Sequence, residues 1–232
     1  MTIVQPIQIQ VAQNVFEAWD KIGVTGRAEK LEKALAAFSD NQGKMAQWQI
    51  DNAKQEIAET RVMPGPTGER NELSSQGRGP FLCTSLLKSE EVDSEKESIG
   101  LVGQIFTALI AGNPVITVGQ AGQNIMDKIS PYVAEGVIQN IADSALDSLI
   151  EADHLAGVAT LCDDTQAQQL SQRLAAKGGL ICQLIEETDS EHLSAITKPH
   201  YLLRFVTERT VSNNTTAIGG NATLLELGSM ND

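Results

Sequence analysis

The chain has 232 residues, of which 41% are hydrophobic and 20% are charged, and its formal net charge at pH 7 is −13. This composition is typical of a soluble globular protein with one large domain, or one domain plus an appendage. Because contacts with phosphates and with anionic lipids need a basic surface, the charge argues against nucleic acid and membrane partners.

Targeting and redox signals point to one compartment. No run approaches the roughly 20 apolar residues of a membrane span, and the first residues lack the basic and apolar regions of a secretory signal. We therefore expect a cytoplasmic protein. Cys83, Cys162 and Cys182 are far apart in sequence and form no CxxC pair. This spacing predicts reduced, buried thiols rather than disulfides or a zinc site.

The front of the chain is predicted to be helical. Apolar residues recur at three- and four-residue spacing through residues 14–40, and glycines at 23 and 26 divide this stretch into two helices. A third helix is expected at about residues 43–61. Trp19 and Trp48 are expected to pack in the seams of a core. Residues 1–62 are thus predicted to form an N-terminal helical segment that packs on the body.

Residues 63–198 are predicted to form the body. Two prolines and two glycines between residues 63 and 71 predict a loop, which is also a candidate recognition surface. Short apolar runs then alternate with helical stretches. The predicted strands are 79–84, 115–118, 137–141, 157–161 and 180–184. The predicted helices are 88–110, 124–135, 144–151 and 165–176, the last with Thr165 as its N-cap. This alternation predicts an α/β fold, a Rossmann-like parallel sheet with helices on both faces.

Residues 199–232 are predicted to form a C-terminal β-hairpin arm. Residues 201–208 alternate between two faces, residues 211–217 form a second extended run, and glycines at 219 and 220 precede an apolar run at 224–227. A two-stranded arm is marginal in water alone, so it must lie on the body or on another subunit. We expect a homodimer or homo-oligomer formed through this arm. The predicted contact residues are Tyr201, Leu203, Phe205, Val211, Ile218, Leu224 and Leu225.

Three stretches carry a resemblance to a known family: AxxAGNPVI at residues 108–116, the loop PGPTGERNEL with RGPFLC, and the tail LLRFVTERTVSNNTTAIGGNATLLELG. The first resembles the helix-to-strand junction of the nucleotide-binding domain of aldehyde dehydrogenases. The other two resemble the C-terminal domain of long proline utilization A proteins, bacterial enzymes that join proline dehydrogenase to 1-pyrroline-5-carboxylate dehydrogenase. In that family the corresponding domain leans its hairpin over the dehydrogenase module.

The chain differs from the family at the catalytic and cofactor-binding positions. The family's catalytic domain, with its nucleophilic cysteine, would fall between the fifth strand and the arm, where this chain has no cysteine. The family's cofactor-binding lysine, proline, small residue and glutamate match a different set here. That set is Val118, Gly119, Gln120 and Ala121. We expect residues 119–122 to make a turn rather than a phosphate loop.

The family's residues at the cofactor pyrophosphate match Cys162, Asp163 and Asp164 here, and these carboxylates would cap a helix and repel a pyrophosphate. Glu186 and Glu187 lie near the position of the family's general base, but a solvated surface explains their charge. The three histidines form no pair at i, i+4, so no metal site is predicted. The resemblance therefore implies a degenerate cofactor site, with no cofactor, metal or catalytic residue.

The sequence as a whole favours a non-catalytic, aldehyde-dehydrogenase-like interaction protein of proline catabolism. Its expected partner is a protein, either a second copy or a proline utilization A dehydrogenase that the arm caps. The alternative is a fragment of 1-pyrroline-5-carboxylate dehydrogenase that oxidises glutamate semialdehyde with NAD.

Overall fold

A computed structural model describes residues 6–87 and 93–214 and divides the chain into two compact units. The first, here called the body, comprises residues 1–58 and 76–207. The second, here called the strand unit, comprises residues 59–75 and 208–232. The body therefore extends beyond the boundary predicted at residue 198.

Seven α-helices and eight strands are assigned within the described residues. The helices are α1 Ile7–Lys21, α2 Gly23–Glu32, α3 Asp40–Glu56, α4 Ser94–Ile110, α5 Gly119–Ile129, α6 Leu146–Ile150 and α7 Asp164–Ala175. The strands are β1 Arg61–Met63, β2 Glu69–Gly77, β3 Phe81–Ser85, β4 Val115–Val118, β5 Ile138–Ile141, β6 Gly157–Leu161, β7 Gln183–Glu187 and β8 Val206–Asn214. None of these helices is long and apolar enough to cross a bilayer.

The predicted parallel sheet is confirmed. Its five strands lie in the order β5-β4-β3-β6-β7, and every neighbouring pair is parallel. Alternate residues of β3 enter two different core clusters, because side chains of a strand alternate between the faces of a sheet. Phe81 packs with α4, and Leu82 packs with Leu170 of α7. Helices therefore cover both faces, as predicted.

Helix α4 is the centre of the body. Asp93 caps its N-terminus by accepting from the Glu95 amide at 2.9 Å, and every residue from 100 to 110 is buried. A helix that is buried all round needs apolar residues on every side, which explains why its sequence lacks a polar stripe. The residues at the C-terminal end of α4 make contacts with several other parts of the body.

A buried arginine ties the front helices to α4. The Arg27 guanidinium donates to the carbonyl of Ile110 at 2.9 Å and to that of Asp20 at 2.7 Å. The Asp20 carboxylate lies 3.5 Å from Arg27 and accepts from the Gly77 amide at 3.0 Å. Burial lowers the pKa of Arg27 to about 10. Helices α1 and α2 are thus fixed to α4 by polar contacts as well as by apolar packing.

The AGN motif forms a buried junction. The Asn113 side-chain oxygen accepts from the amides of Arg78 at 2.7 Å and Gly79 at 3.1 Å. Its side-chain nitrogen donates to the carbonyls of Phe205 at 2.9 Å and Ala108 at 3.3 Å. One fully buried side chain therefore joins the segment just before β3, the end of α4 and Phe205, which directly precedes β8.

The strand predicted at residues 201–208 is wrong over its first half. Pro199–Phe205 is a 3₁₀ helix, and β8 begins only at Val206. Tyr201 and Phe205 are four residues apart on this helix, and their rings pack against each other with centroids 5.1 Å apart in the body core. Pro199 at the first turn of the helix is the sequence signal that favours this structure.

Among the residues that the structure describes, the strand unit contains a three-stranded sheet in the order β1-β2-β8, so the C-terminal strand pairs with β2. Strands β1 and β2 are antiparallel, with Val62 opposite Glu72. The loop predicted at residues 63–71 is therefore the turn of a hairpin. Strand β2 was not predicted because its sequence is mostly polar. Its position between β1 and β8 identifies it as a strand.

Smaller corrections concern element ends. Trp19 is buried as predicted, but Trp48 is 41% exposed and only its indole N–H is held, by the Thr197 carbonyl at 3.1 Å. The fifth strand of the parallel sheet is Gln183–Glu187 rather than residues 180–184. Residues 215–232, with the predicted turn at 219–221 and apolar run at 224–227, lie outside the described residues.

Candidate functional site

The carboxyl ends of β3, β4, β5, β6 and β7 meet at one edge of the parallel sheet, here called the carboxyl edge. Open α/β sheets bind their ligands outside this edge, where the strand order reverses. In this chain the order reverses between β3 and β6. A cofactor site, if the chain kept one, would use the residues that follow these strands.

The segment after β4 is helix from its first residue, which corrects the predicted glycine turn at residues 119–122. Gly119 begins α5 with a φ of +67°, and a Cβ there would lie 2.7 Å from a carboxylate oxygen of Asp143. Val118 and Gly119 are half-buried, whereas Gln120 and Ala121 are exposed. A carboxylate therefore lies beside the helix start that matches the family's cofactor segment.

Polar side chains fill the space between the ends of β4 and β5. The Thr117 hydroxyl donates to Asn140 at 2.8 Å, and the Asn140 amide donates to Gln123 at 3.1 Å. A Cβ on Gly122 would lie 2.6 Å from the Thr117 side chain, which explains the glycine. These three side chains thus satisfy one another's hydrogen bonds.

The start of α7 is closed by its own side chains. Asp163, and not Thr165, is the N-cap: its carboxylate accepts from the Gln166 amide at 2.7 Å, and Gln166 accepts from the Asp163 amide at 2.9 Å. Gln166 also donates to the Leu86 carbonyl at 2.7 Å. This capping box occupies the Gln166 amide, one of those that an anion at a helix N-terminus would use, and places a carboxylate beside the others.

Carboxylates dominate the electrostatics of the carboxyl edge. Burial, and to a lesser extent nearby negative charges, together raise the pKa of the Cys162 thiol to about 11. Those charges are Glu186, Asp163, Asp164 and Glu187. A dinucleotide phosphate at this edge would face the same four carboxylates, so the local field disfavours it.

The three cysteines are buried and free, as predicted. Burial raises the pKa of Cys83 far above its ordinary value and the pKa of Cys182 to about 11. A nucleophilic thiolate needs a lowered pKa and access to solvent. None of the three environments provides them.

Glu187 is buried, which makes the prediction of a solvated surface wrong for this residue. It is 2% exposed. One carboxylate oxygen accepts from the Asp189 amide at 3.0 Å, and the other from the amides of Ala195 at 2.7 Å and Ile196 at 2.9 Å. The buried carboxylate thus organises the loop that follows β7 by accepting from three of its main-chain amides.

A shallow cavity of about 230 Å³ lies between α6 and α7 beside the carboxyl edge. Its apolar lining comprises Leu86, Leu146, Ile150 and Leu170. Its cation, Arg173, is paired with Asp147 at 2.6 Å and with Glu151. The positive charge at this cavity is therefore already neutralised. Within residues 6–87 and 93–214, no cluster of histidine, cysteine, aspartate or glutamate could hold a metal ion.

The predicted interface residues fall into different environments. Tyr201 is 3% exposed and Phe205 is fully buried, so both are core residues of the body and not contacts of a projecting arm. Leu203 is 43% exposed on the same 3₁₀ helix, and Val211 is half-buried on β8. Ile218, Leu224 and Leu225 lie outside the described residues.

The chain is similar in sequence to the bifunctional protein PutA. It is 30% identical over 173 residues to PutA of Escherichia coli K12, which is 72% of this chain and 11% of that protein. It is 28% identical over 166 residues to PutA of Rhizobium meliloti, or 12% of that protein. The chain thus spans only 11–12% of the length of these curated relatives. No protein-family model matches it.

Solved structures share its fold. A crystal structure of a Bradyrhizobium japonicum proline utilization A variant has a TM-score of 0.68 at 23% identity, and covers 78% of this chain and 21% of that one. An NAD-dependent benzaldehyde dehydrogenase from Corynebacterium glutamicum has a TM-score of 0.60 at 13% identity over 78% of this chain and 44% of that one. The chain therefore has an aldehyde-dehydrogenase-like fold, and the resemblance to proline utilization A is confirmed.

Proposed function

Because this chain matches proline utilization A in sequence and aldehyde dehydrogenases in fold, we propose that it is a non-catalytic member of that dehydrogenase group that acts by binding protein. Its place would be in proline catabolism. The observation that carries the proposal is the carboxyl edge, where carboxylates and a closed capping box stand at the positions that a dinucleotide would need.

The strand unit supports an assembly role. Strand β1 is exposed at all three residues, with Val62 at 62% and Met63 at 41%. Most of β8 from Glu208 onward is exposed as well. A small sheet whose residues are mostly exposed gains stability when it packs against another protein surface. We assign that surface to a second copy of the chain or to a proline utilization A dehydrogenase.

Calorimetry with NAD⁺ tests the non-catalytic part of the proposal. We expect no binding heat at millimolar NAD⁺, because the local charge repels the pyrophosphate. A saturable heat, or reduction of NAD⁺ in the presence of glutamate semialdehyde, would instead support the alternative of a dehydrogenase fragment.

Light scattering after size-exclusion chromatography tests the assembly part. We expect Val62→Glu and Met63→Glu to shift the chain, alone or mixed with a proline utilization A dehydrogenase, toward the uncomplexed mass. Ile22→Glu is the matched control, since Ile22 is an exposed apolar residue of the body at 39% exposure. Equal masses for all variants and the wild type would contradict a role for the strand unit.

A further inference from the structure

Strand β7 is the last strand at one side of the parallel sheet, and no other strand in the described part of the chain pairs with its outer side. Within β7, the Gln183 amide and the Glu187 carbonyl bond to the neighbouring segment at 3.0 and 3.1 Å. Main-chain groups of successive residues point to opposite sides of a strand. The main-chain groups of Leu184 and Glu186 therefore face outward.

Two side chains bond to this outer side, and the Gln183 side-chain nitrogen donates to the Leu184 carbonyl at 3.2 Å. A single guanidinium nitrogen of Arg204 donates to the Leu184 carbonyl at 3.1 Å and to the Glu186 carboxylate at 2.9 Å. The Arg204 side chain is 33% exposed, so its contacts face solvent rather than the core. Proteins commonly blunt an open strand edge with a charged side chain, because an open edge invites another strand.

A groove lined by both apolar and polar residues follows the same strand. A cavity of about 420 Å³ lies between α7 and β7, with Leu174, Leu180 and Leu184 in its lining. Leu180 is 66% exposed and Ile181 is 93% exposed. Two large apolar side chains that project beside an open edge are what a bound strand would cover.

We propose that the outer side of β7 and this groove form an acceptor site for an extended peptide strand of a protein partner, and that Arg204 holds the site closed. The contacts of Arg204 define the ligand. A main-chain N–H of the incoming strand would replace the Arg204 N–H that donates to the Leu184 carbonyl. A lysine or arginine of that strand would replace the Arg204 charge beside the Glu186 carboxylate. Since Leu184 and Glu186 share one face of β7, the peptide needs an apolar and a basic side chain two residues apart.

A second copy of β7 does not meet this requirement. Strand β7 has the sequence QLIEE, with two glutamates and no lysine or arginine, so a second copy of it offers no cation to Glu186 in a chain of net charge −13. The site therefore favours a different, basic partner strand over self-association. It is separate from the exposed strands of the strand unit, so it can be tested independently of the proposed function.

The probe is the acetylated, amidated peptide Thr-Val-Thr-Lys-Thr, titrated by calorimetry and by amide NMR into the whole chain. We expect Arg204→Ala to bind it at least tenfold more tightly than the wild type, with the largest shifts at Leu184 and Glu186. Arg78→Ala, which removes an exposed arginine elsewhere on the body, controls for the change in net charge. The same peptide with alternate amides N-methylated keeps its charge but cannot pair, so its binding should be lost.

Equal affinity of the two peptides, or no gain from Arg204→Ala over Arg78→Ala, would overturn the proposal, since either result indicates attraction by net charge alone. Glu186→Gln covers the case in which Arg204→Ala does not fold. In that variant the preference for the lysine peptide over one with norleucine should vanish. A preference that survives in Glu186→Gln would equally contradict the assigned chemistry.

Discussion

Replacing Asn113 by alanine tests the junction that joins three distant parts of the body. The substitution removes four hydrogen bonds, of 2.7, 2.9, 3.1 and 3.3 Å. A buried hydrogen bond contributes about 1 kcal/mol net, and groups left without a partner cost more. We therefore expect the free energy of unfolding to fall by about 4 kcal/mol. For a chain of this size the melting temperature would fall by roughly 8–16 °C.

Urea denaturation followed by circular dichroism measures this effect, with the m-value checked for constancy. Asn124→Ala is the matched control, because Asn124 is exposed on α5 and its side chain has one exposed bond, from Gln120 at 2.9 Å. Its effect should stay within about 0.5 kcal/mol. If Asn113→Ala were as mild as this control, the junction would not hold the body together and the reasoning would be wrong.

Three further outcomes follow from the described contacts. Glu187→Ala should lower the free energy of unfolding by about 3–5 kcal/mol, because three amides lose a buried charged acceptor; a melting curve equal to that of the wild type would contradict this. Hydrogen bonds from the Ser194 hydroxyl and then from the His192 amide lower the pKa of Asp189 to about 2, below its value in the unfolded chain. The ionised carboxylate therefore stabilises the fold above about pH 4, and this contribution is lost as the pH falls through 2. The urea midpoint should therefore fall less between pH 4 and pH 2 in Asp189→Asn than in the wild type, and parallel curves would refute the assignment. Maleimide should label Cys182, at 8% exposure, before the fully buried Cys83, and mass spectrometry that finds the reverse order would show that the core opens elsewhere.

Local patterning was enough to predict the parallel sheet. Val115–Val118 and Gly157–Leu161 are short, apolar and bounded by turn residues, so only a buried strand suits them. The alternation at Tyr201 and Phe205 was ambiguous, because residues four apart share a face in a helix and also in a strand. The strand interpretation overlooked Pro199, which favours the start of a helix.

Other features depend on tertiary contacts that no local pattern encodes. Glu187 is buried because a loop eight or nine residues further along turns back and donates its amides. Strand β2 exists because β1 and β8 lie on either side of it. Even so, the acidic pair after Cys162 correctly predicted a capped helix start, since the chemistry of a cap is local.

The Asn113 junction also constrains the order in which parts of the body can fold during synthesis. The Asn113 side-chain nitrogen donates to the carbonyl of Phe205, so this hydrogen bond of the body cannot form until Phe205 has been synthesised. A nascent chain that emerges from the ribosome can assemble the five strands early, but Phe205 closes that structure late. Polypeptides truncated shortly before this residue should therefore be recognised by cellular proteases as unfinished, even though every strand of the parallel sheet is already present.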